Sequence, residues 1–302
     1  MRFPVNESRE NGLPPGASIG PLYAGFCTRL IFVAATIFPS ASFADEVSKW
    51  ADTLYDHRVR GVPLPLLSQR IRDADLKFAY AVQRGFVSRI QDEAADAIVG
   101  FKVGLISRST QERFGINQPL CGVLLKSMAR TRNAVVDAEQ FHRLMIETEI
   151  AFVVGKVIRK PLKSKRALRR RLSYAVAAVE LPDLAFTDMG NLAGVDIAAA
   201  NVSASGFLIG SKTIATGYGG LAAFRINLVK DEVRVSEGYG SDAMGDPLTA
   251  ALWLVNSAIA QGYSIEPGHF LLTGALGKMV PASRGKYAGQ FGDLGEIRFS
   301  IR

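Results

Sequence analysis

Cysteine and histidine are scarce in this chain. Among 302 residues there are two cysteines, Cys27 and Cys121, and three histidines, His57, His142 and His269. Two cysteines allow at most one disulfide, and no C-x-x-C or Cys/His cluster is present, which argues against a thiolate zinc site. The histidines have no metal-like spacing. Any catalytic site must therefore lean on carboxylates, lysine and hydroxyls. Long apolar runs are missing too: no stretch reaches the roughly 18–20 uninterrupted apolar residues of a spanning helix, which excludes a polytopic membrane protein. No repeat of about 20–50 residues stands out. Nor is the charge one-sided, with 36 Lys+Arg against 28 Asp+Glu for a net +8. At 48% hydrophobic and 21% charged, the chain has the composition of a folded globular protein, long enough to bury a core without disulfides.

The first residues read as an address. Residues 1–25 are rich in Pro, Gly, Asn and Ser without an apolar period. Arg29, the apolar run Leu30 to Phe38 and the small-residue end Ser42-Phe43-Ala44 follow, then Asp45-Glu46. A cation, a short apolar stretch and a small-x-small end form a secretory-signal pattern. Residues 1–44 are thus expected to be an extension and signal cut after Ala44, with a periplasmic or secreted mature protein. The alternatives are a short apolar helix docked on the body and a cytoplasmic protein. After such a cut only Cys121 remains, so an oxidising compartment would form no internal disulfide.

Residues 45–96 read as helical. Val47, Trp50, Ala51, Leu54 and Tyr55 recur at helical spacing until Gly61 and Pro63. A second helix is expected after Asp73, with Leu76, Ala79, Tyr80, Phe86, Val87 and Ile90 on its apolar stripe. Residues 97–302 are β-rich, with runs at Ile98–Leu105, Gly122–Met128, Met145–Ile158, Ala175–Leu181 and Phe224–Val229. One late helix, Pro247–Ala260, interrupts them, with Pro at its start. Helices leading into a mostly β domain give an α+β class.

One segment breaks the even charge distribution. Lys156 to Arg171 holds nine basic residues and no acidic one, more than the whole net charge. Such a run is either a solvated basic face or a contact for anionic lipid or polyanion. It has no interleaved aromatics for base stacking, so nucleic acid is not an expected partner.

The most informative segment is Ile146-Glu147-Thr148-Glu149-Ile150. On a strand, Glu147 and Glu149 share one face while Ile146, Thr148 and Ile150 share the other. Two carboxylates about 7 Å apart on an apolar strand either face water or share a cation. Glu180 closes the apolar run Ala175–Val179 and needs a partner of its own. The three together would make an oxygen cup suited to Mg²⁺, Mn²⁺ or Ca²⁺. Lys102, in Val99-Gly100-Phe101-Lys102-Val103-Gly104, is either paired, functional or snorkelling from a strand edge. Asn201 and Ser203 either cap a helix or contact a ligand. The glycines around Thr273-Gly274 mark either a backbone approach to a ligand or a tight turn.

In order along the chain, GFKVGL (100–105), QPLCGVL (118–124), ETEIAFVVG (147–155), AVELPD (178–183), ANVSASGFLIG (200–210), GDPLTAALWLVN (245–256) and LLTGALGKMVP (271–281) resemble the bacterial 2-keto-4-pentenoate hydratase and 2-oxo-hex-4-ene-dioate decarboxylase group. That group belongs to the fumarylacetoacetate hydrolase superfamily. The resemblance covers about 100 to 300. It implies N-terminal helices followed by a mixed β-sandwich-like roll, and Mg²⁺ or Mn²⁺ on Glu147, Glu149 and Glu180. It further implies an active-site lysine at Lys102 and a serine near the substrate at Ser203. Ser127, Asn201, Thr273 and Gly274 are then expected to border the substrate, a small 2-oxo acid or 2-hydroxydienoate, in a homo-oligomer. The implied chemistry is metal-assisted stabilisation of an enolate, as in water addition to a conjugated alkene. The sequence departs from that pattern twice: Ser127 and Ala200 stand where hydratases carry aspartate, and neither side chain takes up a proton near neutral pH. These departures leave open a decarboxylase or hydrolase on a related acid, a non-catalytic periplasmic binding protein, or a basic-surface interaction protein.

Overall fold

A computed structural model describes residues 42–215 and 220–302. The apolar run read as a leader lies outside the described residues. Its expected end does not: Ser42 caps helix α1 (Phe43–Val59) in a reciprocal box with Asp45, and Phe43 packs edge-on against Phe78 at 5.4 Å. The helix thus starts two residues before the expected boundary, because Ser42 can accept from the Asp45 N–H while Asp45 reaches back. Helix α2 (Leu76–Ala94) opens on Asp75, which accepts from the Phe78 N–H, and ends on Ala95 in the left-handed region. Its buried stripe of Phe78, Ala79, Val82, Phe86, Val87 and Ile90 contains one polar member, Gln83.

The β-rich part forms two sheets. The first holds β1 (Ile98–Gly104), β2 (Leu120–Leu125), β3 (Ala129–Arg130), β5 (Met145–Val154), β6 (Leu172–Glu180), β7 (Phe207–Ala215) and β10 (Phe270–Leu272), in the order β2-β1-β10-β5-β6-β7-β3, with β11 (Val280–Pro281) added to β5. The second holds β4 (Val135–Val136), β8 (Arg225–Lys230), β9 (Val233–Tyr239), β12 (Gly285–Gln290) and β13 (Glu296–Ile301), in the order β4-β13-β12-β8-β9. Helices α3 (Arg108–Arg113), α4 (Lys165–Arg169), α5 (Gly194–Ala199) and α6 (Pro247–Ala260) fill the connections. The late helix matches the sequence reading because Asp246 caps it and Pro247 opens its first turn. Strands β7 and β9 carry too many polar residues for a periodicity reading to find them.

Both faces of the first sheet are covered at its centre, so β5 and β6 are buried almost throughout. On one face Phe101 meets Tyr263 and His269, at 5.3 and 6.0 Å between ring centroids. On the same side of β6, Ala177 and Val179 lie against Gly210 and Gly289, with Ile297 of the second sheet alongside. The other face carries the functional residues. Among the described residues no helix is long and apolar enough to cross a membrane.

The basic run forms the β5–β6 connection and α4, and its nine cations are all exposed. Three of them have partners: Lys165 with Asp246 at 2.8 Å, Arg159 with Glu266 at 3.6 Å, and Arg171 with the Val157 carbonyl at 3.3 Å.

Candidate metal centre

Strand register brings the carboxylates together. Glu147 pairs with Glu180 and Glu149 with Ala178 across β5–β6. Ala151 pairs with Leu272, and Leu272 with Lys102. Paired residues point to the same side of a sheet and alternate residues share a side. Lys102, Glu147, Glu149 and Glu180 therefore lie on one face, before any side-chain rotamer is considered. Lys102 comes from a strand adjacent to neither β5 nor β6. Three strand spacings separate β1 from β6, about 14 Å in a flat sheet. Curling of the sheet closes that gap, and Lys102 Nζ lies 2.8 Å from Glu180 Oε1.

The three glutamates each offer a carboxylate oxygen within 4.8 Å of the others. Glu149 and Glu180 are fully buried, Glu147 partly so. Glu149 Oε1 and Glu180 Oε2 have no hydrogen-bond partner. Buried carboxylate oxygens without donors are costly, and here they converge. Three carboxylates and one ammonium leave two negative charges, which one divalent cation neutralises. With an all-oxygen donor set, the residues fit Mg²⁺, Mn²⁺ or Ca²⁺. Without an ion, burial and the neighbouring Glu180 push the Glu147 carboxyl up to about 7, Lys102 pulling the other way. Burial, Glu180 and Glu147 hold Glu149 well above its ordinary value, against Lys102 and the Gly274 N–H. For Lys102 burial favours the neutral amine, but Glu180, Glu147 and Glu149 together outweigh it and raise its pKa. The ammonium is therefore the form that persists at neutral pH.

The neighbouring turn is unusual. Asn201, Val202 and Ser203 adopt φ of 55°, 52° and 57° in succession. The left-handed region costs an L-residue roughly 1–2 kcal/mol, and it is especially unfavourable for β-branched Val. Three contacts hold the turn in place. Asn201 Oδ1 accepts from the Val123 N–H at 2.7 Å and its Nδ2 donates to the Val123 carbonyl at 2.9 Å. Lys102 Nζ donates to the Val202 carbonyl at 2.9 Å. Gln83 Nε2 ties the preceding helix to β2 through the Ala198 and Cys121 carbonyls, both at 2.9 Å. Two glycines make the fit possible: a Cβ on Gly104 would lie 2.4 Å from Val202 Cγ1, and one on Gly122 would lie 3.0 Å from Lys102 Cγ. Ser203 is 7% exposed, and its hydroxyl has no partner.

The other expected site residues divide. Gly274, at φ +94°, donates its N–H to Glu149 Oε2 at 2.6 Å, so it orients a carboxylate. Thr273 is fully buried, and its hydroxyl donates to the Ile150 carbonyl at 2.7 Å, a bond inside the sheet. Asn201 neither caps a helix nor offers a free amide; it clamps Val123. Ser127 lies past the end of β2, exposed, and donates to buried Asp96 through both N–H and hydroxyl. A carboxylate thus stands beside the position where the resemblance expected one, contributed by Asp96. Sequence reasoning missed Asp96, Gln83 and the Val202 carbonyl. Buried Asp and Gln carry no sequence signal, and a backbone carbonyl is invisible until the turn is known.

No protein-family model matches the chain. Among curated proteins it is 31% identical to 2-keto-4-pentenoate hydratase 2 of Dechloromonas aromatica, covering 75% of this chain and 86% of that protein. It is 32% identical to the TodF product hydratase of Pseudomonas putida, covering 79% and 88%. Among solved structures, 4-oxalocrotonate decarboxylase from Pseudomonas putida G7, complexed with magnesium and adipate, superposes with a TM-score of 0.81 at 21% identity, over 87% of this chain and 99% of that one. Fumarylpyruvate hydrolase from Pseudomonas aeruginosa, in complex with Mn²⁺ and pyruvate, gives a TM-score of 0.51 at 13% identity, over 67% and 88%. The fold is that of the fumarylacetoacetate hydrolase superfamily. With this much of both chains matched above 30% identity, the chain belongs to the 2-keto-4-pentenoate hydratase family.

Proposed function

We propose that the protein is a divalent-metal-dependent, hydratase-like lyase acting on a small 2-oxo acid or its 2-hydroxydienoate tautomer. The observation that carries this reading is the buried cup of Glu147, Glu149 and Glu180 with its two orphaned oxygens, closed on one side by Lys102. Glu147, Glu149 and Glu180 would hold Mg²⁺ or Mn²⁺. When bound, such an ion supplies a Lewis acid for the carboxylate and 2-oxo oxygens of the substrate and stabilises enolate charge. The curated relatives are named hydratases, and two fold neighbours carry Mg²⁺ or Mn²⁺ with a small carboxylate.

The chain's own groups have defined tasks. Lys102 spends two of its three N–H donors, on Val202 and Glu180, leaving one for a substrate oxygen. Its persistent positive charge favours an anionic transition state over a neutral ground state. The Ser203 hydroxyl is buried without a partner, available to a substrate carboxylate or to the attacking water. The buried surroundings of Lys102 and Glu180 exclude bulk solvent and strengthen each of these interactions.

Incubating the protein with Mg²⁺ or Mn²⁺ and a panel of 2-hydroxydienoates and 2-oxo acids tests the reading. Metal-dependent loss of the dienoate absorbance supports it. Binding without turnover on the whole panel would leave a non-catalytic binding protein instead.

Export is part of the same proposal. The sequence pattern supports it, and N-terminal sequencing from the native host should find Asp45. That cut would cost α1 its Ser42 cap, worth about 1 kcal/mol. An uncut chain would overturn it. Self-association, read by light scattering, and contact of the basic run with anionic surfaces, read by vesicle binding, complete the proposed partners.

A further inference from the structure

A cavity of about 790 Å³ lies where β3, β7 and β13 come together, and none of Glu147, Glu149, Glu180 and Lys102 lines it. Its apolar floor follows from the sheet topology. Strand β3 pairs with β7 only at Ala129–Phe207 and Arg130–Leu208, so the edge of β7 beyond Leu208 has no strand beside it. Ile209 and Phe270 are only half-buried there, although their strand partners Ala178 and Val153 are buried. Phe207, fully buried, completes the floor, its ring centroid 6.0 Å from that of Phe270.

The rim is cationic. Arg130, Arg132 and Arg298 line the cavity, with Glu296 as the one carboxylate, a net charge of +2. Glu296 is ion-paired to Arg298, and Arg130 donates to the Ser127 carbonyl at 2.7 Å. Arg132 has no hydrogen bond or ion pair among the described residues. The Asn133 N–H donates to the Arg298 carbonyl at 3.0 Å, which holds the two arginine-bearing segments side by side. A cluster of cations alone attracts any anion, and an apolar floor alone attracts any apolar body. Together they select a molecule that has both. A small inorganic anion would leave the floor wet, and a neutral arene would leave the guanidinium groups unmatched. A carboxylate fits the guanidinium fork, and an aromatic body packs on phenylalanine rings and offers its face to arginine. The volume suits a small organic molecule, for which sites of about 300–1,000 Å³ are usual.

We propose that this cavity is a second ligand site, separate from the metal cup, that binds an aryl carboxylate with its ring on Ile209 and Phe270 and its carboxylate on Arg132 and Arg298. The probes are 2-naphthoate, the uncharged 2-naphthamide of the same shape, and acetate. Calorimetry on the full chain is run with chelator, so that no ion at the cup draws a carboxylate. Naphthoate should bind about tenfold tighter than naphthamide at low salt, the size of two solvent-exposed charge pairs, and high salt should narrow the margin. Acetate, which lacks the apolar body, should bind at least about tenfold more weakly than naphthoate. Arg132→Gln should weaken naphthoate by about threefold and leave naphthamide unchanged, and adding Arg298→Gln should erase the margin. Ile209→Ser should weaken both aryl ligands alike. Lys163→Gln, which removes an exposed cation from the basic run, should change nothing. Thermal melts confirm that the variants stay folded.

Each contrary outcome overturns the site for a stated reason. Naphthoate binding no tighter than naphthamide, or not at all, means that the arginines read no carboxylate here. Acetate binding as tightly as naphthoate leaves only a patch of positive charge. A margin that survives loss of both arginines, or that Lys163→Gln reduces as much as Arg132→Gln does, places the ligand elsewhere. The measurement uses neither the divalent ion nor turnover, so its result and that of the lyase assay are independent.

Discussion

Removing the divalent ion should make the protein less stable as pH rises, the reverse of ordinary acid denaturation. In the ion-free state burial and Glu180 lift the Glu147 carboxyl from 4.5 to about 7. A carboxyl whose folded pKa is raised stabilises the fold fully below its unfolded value and loses that contribution as pH climbs through the folded value. The window is therefore about pH 4.5 to 7. At 1.36 kcal/mol per pKa unit the loss from this partly buried group is at most roughly 3 kcal/mol. Glu149 shifts in the same direction and adds to it. Lys102 is raised from a value already above this window, so it stays charged throughout and leaves the slope unchanged. At about 2 °C per kcal/mol for a body of this size, the melting point should fall by roughly 6 °C between about pH 5 and pH 8. An ion that binds the deprotonated cup should remove most of that fall and release protons on binding. The assay is a set of thermal melts across that range with chelator and with excess Mg²⁺, repeated on Glu147→Gln. In the variant the chelator curve should be flatter, because one of the carboxyls that titrates in the window is gone. A chelator curve that is flat or rising with pH, coincident with the Mg²⁺ curve and unchanged in the variant, would refute the cup.

Glu147→Gln should abolish Mg²⁺ and Mn²⁺ binding by calorimetry while circular dichroism stays native, since volume is kept and only charge is lost. Lys102→Met should destabilise the chelated protein by about 3–5 kcal/mol at neutral pH, as Glu180 loses its buried partner. The same change should tighten divalent-ion binding and depress turnover; weaker ion binding would mean that Lys102 does not oppose the ion. Asn201→Ala should cost about 2–4 kcal/mol in denaturant unfolding, because both polar groups of buried Val123 lose their partners. It should also lower kcat by releasing the turn that holds Lys102, whereas a purely structural role would leave the kcat of the folded fraction intact. Thr273→Val should cost about 1 kcal/mol with KM unchanged, since its hydroxyl serves Ile150 and not the substrate.

The sequence by itself determined the α+β order and the bounds of the late helix, because Asp246 and Pro247 mark a helix start chemically. It also determined that Glu147 and Glu149 share a face, since strand alternation is a local property of the backbone. Their apolar neighbours singled out Lys102 and Glu180, and the motif resemblance gave them roles, without giving any distance between them. Only the tertiary structure could supply that distance: residues on β1, β5 and β6 meet through a sheet that curls, and curl depends on the whole pairing order. The same holds for the turn at 201–203. Its left-handed backbone is contrary to the preference of Val202, and it exists because Asn201 ties it to Val123 on β2 and Lys102 reaches it from β1. Ser127, Asn201 and Thr273, read from the motifs as substrate groups, each have a partner within the protein. A hydroxyl or amide in a motif looks the same whether it serves a ligand or a backbone carbonyl, and only packing decides which acceptor lies within reach.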